Sequence, residues 1–72
     1  MSYIVRKDYA APGPPYPTYI VALLDEEHLT PMSVQYDPDQ ARATRFSTRE
    51  KAEKVRTMLD DGKDSLTVIE VP

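Results

Sequence analysis

Between two stretches that read as strands the chain carries Ala10-Ala11-Pro12-Gly13-Pro14-Pro15-Tyr16-Pro17, in which four of eight residues are proline. Each proline lacks a backbone N–H and fixes its own φ, so this segment can continue neither a helix nor a sheet ladder and reads as a stiff, extended loop. The chain on either side must therefore form separate elements. Residues 3–9 read as a strand with Tyr3, Val5 and Lys7 on one face and Ile4 and Arg6 on the other. Residues 18–24 are rich in β-branched and aromatic side chains and apolar on both faces, the pattern of a central strand. A helix through Ala22–Leu29 competes with this reading, but the Tyr-Ile-Val start and Pro31 weigh against it.

Met32, Val34 and Tyr36 alternate onto one face and predict a third strand over 32–36, after a turn at Asp25-Glu26-Glu27-His28. Asp37-Pro38-Asp39-Gln40 has the form of a helix start, with Asp37 as cap and Pro38 first in a short turn through Ala41. Ser47-Thr48-Arg49-Glu50 is a second capping box and opens the main helix, expected from about 48 to 60. Thr48, Ala52, Val55 and Leu59 share one stripe of it, while Glu50, Lys54 and Thr57 face away. Arg49–Glu53 and Glu50–Lys54 have the spacing of ion pairs. Gly62 is the expected stop, and residues 66–71 form the last strand. The fold class that follows is α+β: a mainly antiparallel sheet of three to four strands, in β-β-β-α-β order, with one main helix on one face. Residues 1–72 read as a single small domain with a proline-rich loop at 10–17.

A 72-residue chain without cysteine has no disulfide to staple its core, so self-association into a homodimer is one route to further burial. The start lacks the apolar core of a signal peptide, and no apolar run is long enough to span a membrane, so the cytoplasm is the expected location. The net charge of −3 is unevenly placed. Asp25, Glu26, Glu27, Asp37 and Asp39 fall in 25–39, which holds no Lys or Arg, whereas Arg42, Arg45, Arg49, Lys51, Lys54 and Arg56 follow against Glu50 and Glu53.

Chemistry-bearing patterns are sparse. His28 is the sole histidine and reads as a turn residue; without a second His or any Cys, no zinc ligand set is expected. The Asp60-Asp61-Gly62-Lys63-Asp64 and Asp37-Pro38-Asp39 runs lack the spaced oxygens of a calcium loop. The chain has two glycines and no glycine-rich phosphate loop, and no serine stands in a nucleophile setting. The expectation is a protein without catalytic residues, metal or cofactor. The basic run 42–56 allows a weak nucleic-acid binder as an alternative. The negative net charge and the absence of an aromatic platform among the basic residues argue against it.

The stretch containing Ala41, Arg45-Phe46-Ser47-Thr48, Glu50 and Ala52, with the closing Ile69-Glu70-Val71, resembles a pattern found in small phage and bacterial α+β proteins. The resemblance covers about half the chain, and each matching residue also has a structural role in capping, core filling or strand alternation. It implies a non-catalytic protein-binding module of the anti-CRISPR or anti-defence type, which inhibits a larger host protein by covering its surface. A partner with a basic surface would meet Asp25, Glu26, Glu27, Asp37 and Asp39, with Tyr16 as a rigid aromatic anchor held by Pro15 and Pro17. A structural or accessory domain acting by self-association is the other alternative.

Overall fold

The computed structural model of the chain describes the backbone of residues 1–25 and 30–72 and the side chains of 1–22 and 34–72. The elements are β1 (Ser2–Asp8), β2 (Thr18–Asp25), β3 (Thr30–Asp37), a 3-10 turn (Gln40–Arg42), α1 (Arg49–Leu59) and β4 (Ser65–Val71). The four strands form one antiparallel sheet in the order β3-β2-β1-β4. The α+β expectation and the β-β-β-α-β order hold. Residues 18–24 do form an inner strand; β2, β3 and β4 extend a residue or two beyond the ends read from sequence, whereas β1 begins one residue earlier and ends one residue earlier, so that Tyr9 lies outside it.

Strand alternation divides the core into two layers. Val5, Ile20 and Val68 point to the side covered by α1, where Ala52, Val55 and Phe46 close over them, with Tyr3, Ala22, Val34, Leu59 and Leu66 around the rim. Ile4, Tyr19, Ala43 and Val71 form a smaller cluster on the other face, with Ile69 beside it. The helix packs over β1 and β4 because Ala52 and Val55, both fully buried, lie on one stripe, and a small residue at 52 lets the helix approach the sheet closely.

The two inner strands do not pair along their length. β1 meets β2 only at Arg6↔Tyr19 and Lys7↔Thr18, although the same register continued would set Tyr3 opposite Ala22. Residues 43–46 occupy the gap instead. Tyr3 and Phe46 exchange N–H···O bonds of 2.9 and 2.8 Å, and the Thr44 N–H donates to the Ile20 carbonyl at 2.9 Å. The Thr44 hydroxyl accepts from the Ala22 N–H at 2.8 Å and donates to the Ala22 carbonyl at 3.2 Å. Ala43 is buried in the far cluster and Phe46 in the cluster beneath the helix, so the chain passes through the sheet between β1 and β2. The strap satisfies backbone groups that the splayed strands would otherwise leave unpaired in the interior.

This crossing moves the helix start. The cap is Thr48, not Ser47: Thr48 has extended φ/ψ of −134° and 152°, and its side chain accepts the Lys51 N–H at 3.2 Å. With Phe46 held in the seam, Ser47 spans the distance to the helix, and its hydroxyl meets the Lys51 ammonium at 3.2 Å. The first short turn is likewise capped by Asp39, which accepts the Ala41 N–H at 3.0 Å, rather than by Asp37. Asp37 closes the preceding bend by accepting the Asp39 N–H at 2.8 Å. The expected i,i+4 pairs are replaced. Glu53 pairs with Arg56 at 2.8 Å, Arg56 also reaches Asp60 at 3.8 Å, and Arg49 lies over the Tyr3 ring at 5.2 Å. The helix ends at Leu59 with Asp60 as cap, so Gly62 does not stop it. Gly62 instead sits in the following turn with φ +76°, a conformation that other residues adopt at a cost.

Candidate interaction surface

One end of the sheet gathers the proline-rich loop and the turns on either side of it. The registers Lys7↔Thr18, Tyr19↔Asp37 and Asp8↔Ser65 set the last residues of β1 and β3 beside the first of β2 and β4. The loop of residues 9–17 springs from this end, and its base is fixed by a set of specific contacts. The Tyr9 hydroxyl lies 2.9 Å from the Thr18 hydroxyl, which is buried. The Ala10 N–H donates to Asp64 at 2.9 Å. Residues 10–13 make a turn closed by a 2.8 Å bond from the Gly13 N–H to the Ala10 carbonyl, with a cis Ala11–Pro12 peptide at its centre.

Lys7 ties these parts together. Its ammonium lies 4.3 Å from the centre of the Tyr36 ring, 5.2 Å from that of Tyr9 and 3.6 Å from the Asp64 carboxylate. The Lys7 side chain is only 15% exposed, so these attractions act where water screens them little. The lysine thus joins β1, β3, the loop base and the turn before β4. Beyond this fixed base Tyr16 is 53% exposed, although it is a large aromatic residue between two prolines.

The residues expected to act together are distributed as follows. Tyr16 is in the loop, and Asp37 and Asp39 follow β3 at the same end. Asp25 ends β2 opposite Thr30 at the other end of the β2–β3 ladder, six residues or about 20 Å away. Glu26, Glu27 and His28 lie outside the described residues. Asp37 is bound to the Arg42 guanidinium at 2.9 Å, so the first residue of the neighbouring basic run neutralises it. Tyr9, the other aromatic beside the loop, is turned inward onto Thr18.

Sequence reasoning did not find the contribution of the turn 60–64. Asp60 accepts the Gly62 N–H at 2.9 Å, and Asp61 accepts the Lys63 N–H at 2.9 Å and the Asp64 N–H at 3.4 Å. These backbone bonds, first Lys63 and then Asp64, hold the Asp61 carboxyl below its ordinary pKa. Asp8 is bound to the Arg6 guanidinium at 2.8 Å, and this hydrogen bond, followed by the carboxylate's charge, raises the pKa of that arginine. The carboxylates here mostly organise turns. Among the described residues no three His, Cys, Asp or Glu side chains converge on one point.

On the outer side of α1, Thr48, Glu50, Lys51 and Lys54 line a shallow groove. Glu50 lies among these lysines, so the groove carries both signs of charge. Among the described residues no helix is long and apolar enough to cross a membrane. Compared with known protein families, curated proteins and solved structures, the chain matches none.

Proposed function

We propose that the protein is a non-catalytic binding module that docks a larger protein through the end of the sheet bearing Tyr16. The observation that carries this reading is the contrast between a loop base fixed by Tyr9, Lys7 and Asp64 and a tyrosine left 53% exposed beyond it. A preformed loop loses little conformational entropy on binding, and an exposed aromatic on such a loop is the kind of residue that dominates interfaces. Asp39 stands at the same end beside the Arg42-paired Asp37, and Glu26 and Glu27 add negative charge elsewhere in the chain. A basic-surfaced partner fits this distribution, with association that slows as salt rises. Inhibition of a host protein by covering its surface is the form of action that the resemblance to small phage proteins supports.

The test is capture of partners from a bacterial lysate on the immobilised chain, followed by direct binding measurements with the captured protein. Three variants are compared: Tyr16→Ala, Glu26→Lys with Glu27→Lys, and Lys51→Glu with Lys54→Glu. Loss of binding in Tyr16→Ala with the lysine variant unaffected supports the reading. Loss confined to the lysine variant, with all three folded, overturns it in favour of the basic helix face.

A further inference from the structure

The sheet has two outer edges, and they are not alike. β3 contains Pro31, and its ladder with β2 shifts register between Leu23 and Leu24; both features discourage a further strand. β4 has neither. Its seven residues, Ser-Leu-Thr-Val-Ile-Glu-Val, pair with β1 in unbroken register and include no proline and no basic residue. Among the described residues β4 has a strand neighbour on one side only.

The direction of its free backbone groups follows from the seam. Tyr3 turns its N–H and C=O toward Phe46, away from β4. Alternation along β1 then directs those of Ser2, Ile4, Arg6 and Asp8 to β4, where their partners are Val71, Ile69, Thr67 and Ser65. The remaining residues of β4, Leu66, Val68 and Glu70, direct their N–H and C=O groups outward.

These three positions are symmetric about Val68. An antiparallel copy of β4 with Val68 opposite Val68 sets Leu66 opposite Glu70 twice and pairs every outward group in a narrow hydrogen-bonded ring. It also keeps each face continuous: Leu66, Val68 and Glu70 stay on the helix side, while exposed Thr67 meets the half-buried Ile69 on the other. Shifting the copy so that Thr67 faces Thr67 sets Asp64 opposite Glu70, two like charges; shifting it the other way, Ile69 on Ile69, leaves Leu66 facing Pro72, which has no N–H to give. The strand is thus best matched, in one register, by itself.

We propose that β4 is a homodimerisation edge, joining two copies about a two-fold axis at Val68 into one eight-stranded antiparallel sheet with both helices on the same side. The interface is isologous and closed, so it ends at two copies. It does not involve the Tyr16 loop, which springs from the inner strands, and it stands whether or not that loop binds a partner.

Sedimentation equilibrium of the full chain, over concentrations reaching about 1 mM, tests it. The wild type is expected to be a monomer–dimer mixture. Leu66→Glu sets like charges opposite each other twice and should weaken the dimer about tenfold or more, whereas Leu66→Lys, with the same loss of apolar surface, should tighten it against Glu70. Synthesis of the chain with an N-methyl group at Val68 removes an outward donor without changing any side chain, and should leave a folded monomer. A wild type that stays monomeric throughout overturns the proposal. So does a dimer indifferent to the sign of the charge at 66, a dimer that survives N-methylation, or growth into larger assemblies.

Discussion

Thr48 and Ser47 differ by one methyl group and one position, yet only Thr48 accepts the Lys51 N–H. Thr48→Ala should therefore cost about 1 kcal/mol, the usual worth of a helix cap, and Ser47→Ala no more than about 0.5 kcal/mol. Urea melts of the two variants check the order; the reverse order would put the cap back at Ser47. In sequence the two hydroxyls are equivalent candidates, and Glu50 three residues after Ser47 favours the wrong one. What decides between them is Phe46, which is held by Tyr3 from the far end of the chain. The same kind of non-local partner explains the charge pairs. Arg49 and Glu53 have suitable spacing, but the Tyr3 ring is available to Arg49, and Arg56 to Glu53. Local spacing names what a residue can reach, and packing chooses among the options.

Elements were more legible than their ends. β2 is visible in sequence because Thr18-Tyr19-Ile20-Val21 is β-branched and aromatic, and α1 because Ala52, Val55 and Leu59 repeat at helical spacing. The loop between β1 and β2 was legible as stiff from its prolines, but not as anchored, since Asp64 reaches Ala10 from the other end of the chain. Its geometry makes opposite predictions for two of its residues. A Cβ at Gly13 would lie 2.7 Å from both the Ala10 oxygen and the Tyr9 Cβ, so Gly13→Ala forces the turn open and should cost about 1–3 kcal/mol. Tyr16→Ala removes a side chain more than half exposed and should change stability by less than about 0.5 kcal/mol. Thermal melts separate the two. A large loss in Tyr16→Ala would mean that the tyrosine packs against the domain rather than standing free for a partner.

For the molecule as a whole, the charge map drawn along the chain is redrawn by folding. Asp25 and Asp37, close in sequence, sit at opposite ends of one ladder, while Asp64 and Lys7 come together from opposite ends of the chain. The radius of gyration is 11.5 Å, against about 11 Å expected for a compact domain of this length. The sheet itself is two ladders, β3–β2 and β1–β4, joined by a short contact and by the strap at 43–46. In amide exchange, Thr44 and Phe46 should be protected like residues of the inner strands, although they belong to no long strand, whereas the loop amide of Ala11 should exchange quickly. Equal, rapid exchange at 11, 44 and 46 would show that the seam opens freely.

Connections between elements are ordinarily where a fold accepts changes in length, because their backbone is exposed and unpaired. Here the strap inverts that rule. One residue added between Ala43 and Phe46 moves either the Ala43 side chain out of the far cluster or the Phe46 ring out from under the helix, since the two are held on opposite faces of the sheet. The exposed chain just after β3 and the tip of the proline-rich loop carry no such double constraint. Variation in length belongs there, and descendants of this fold should keep the span from 43 to 46 constant.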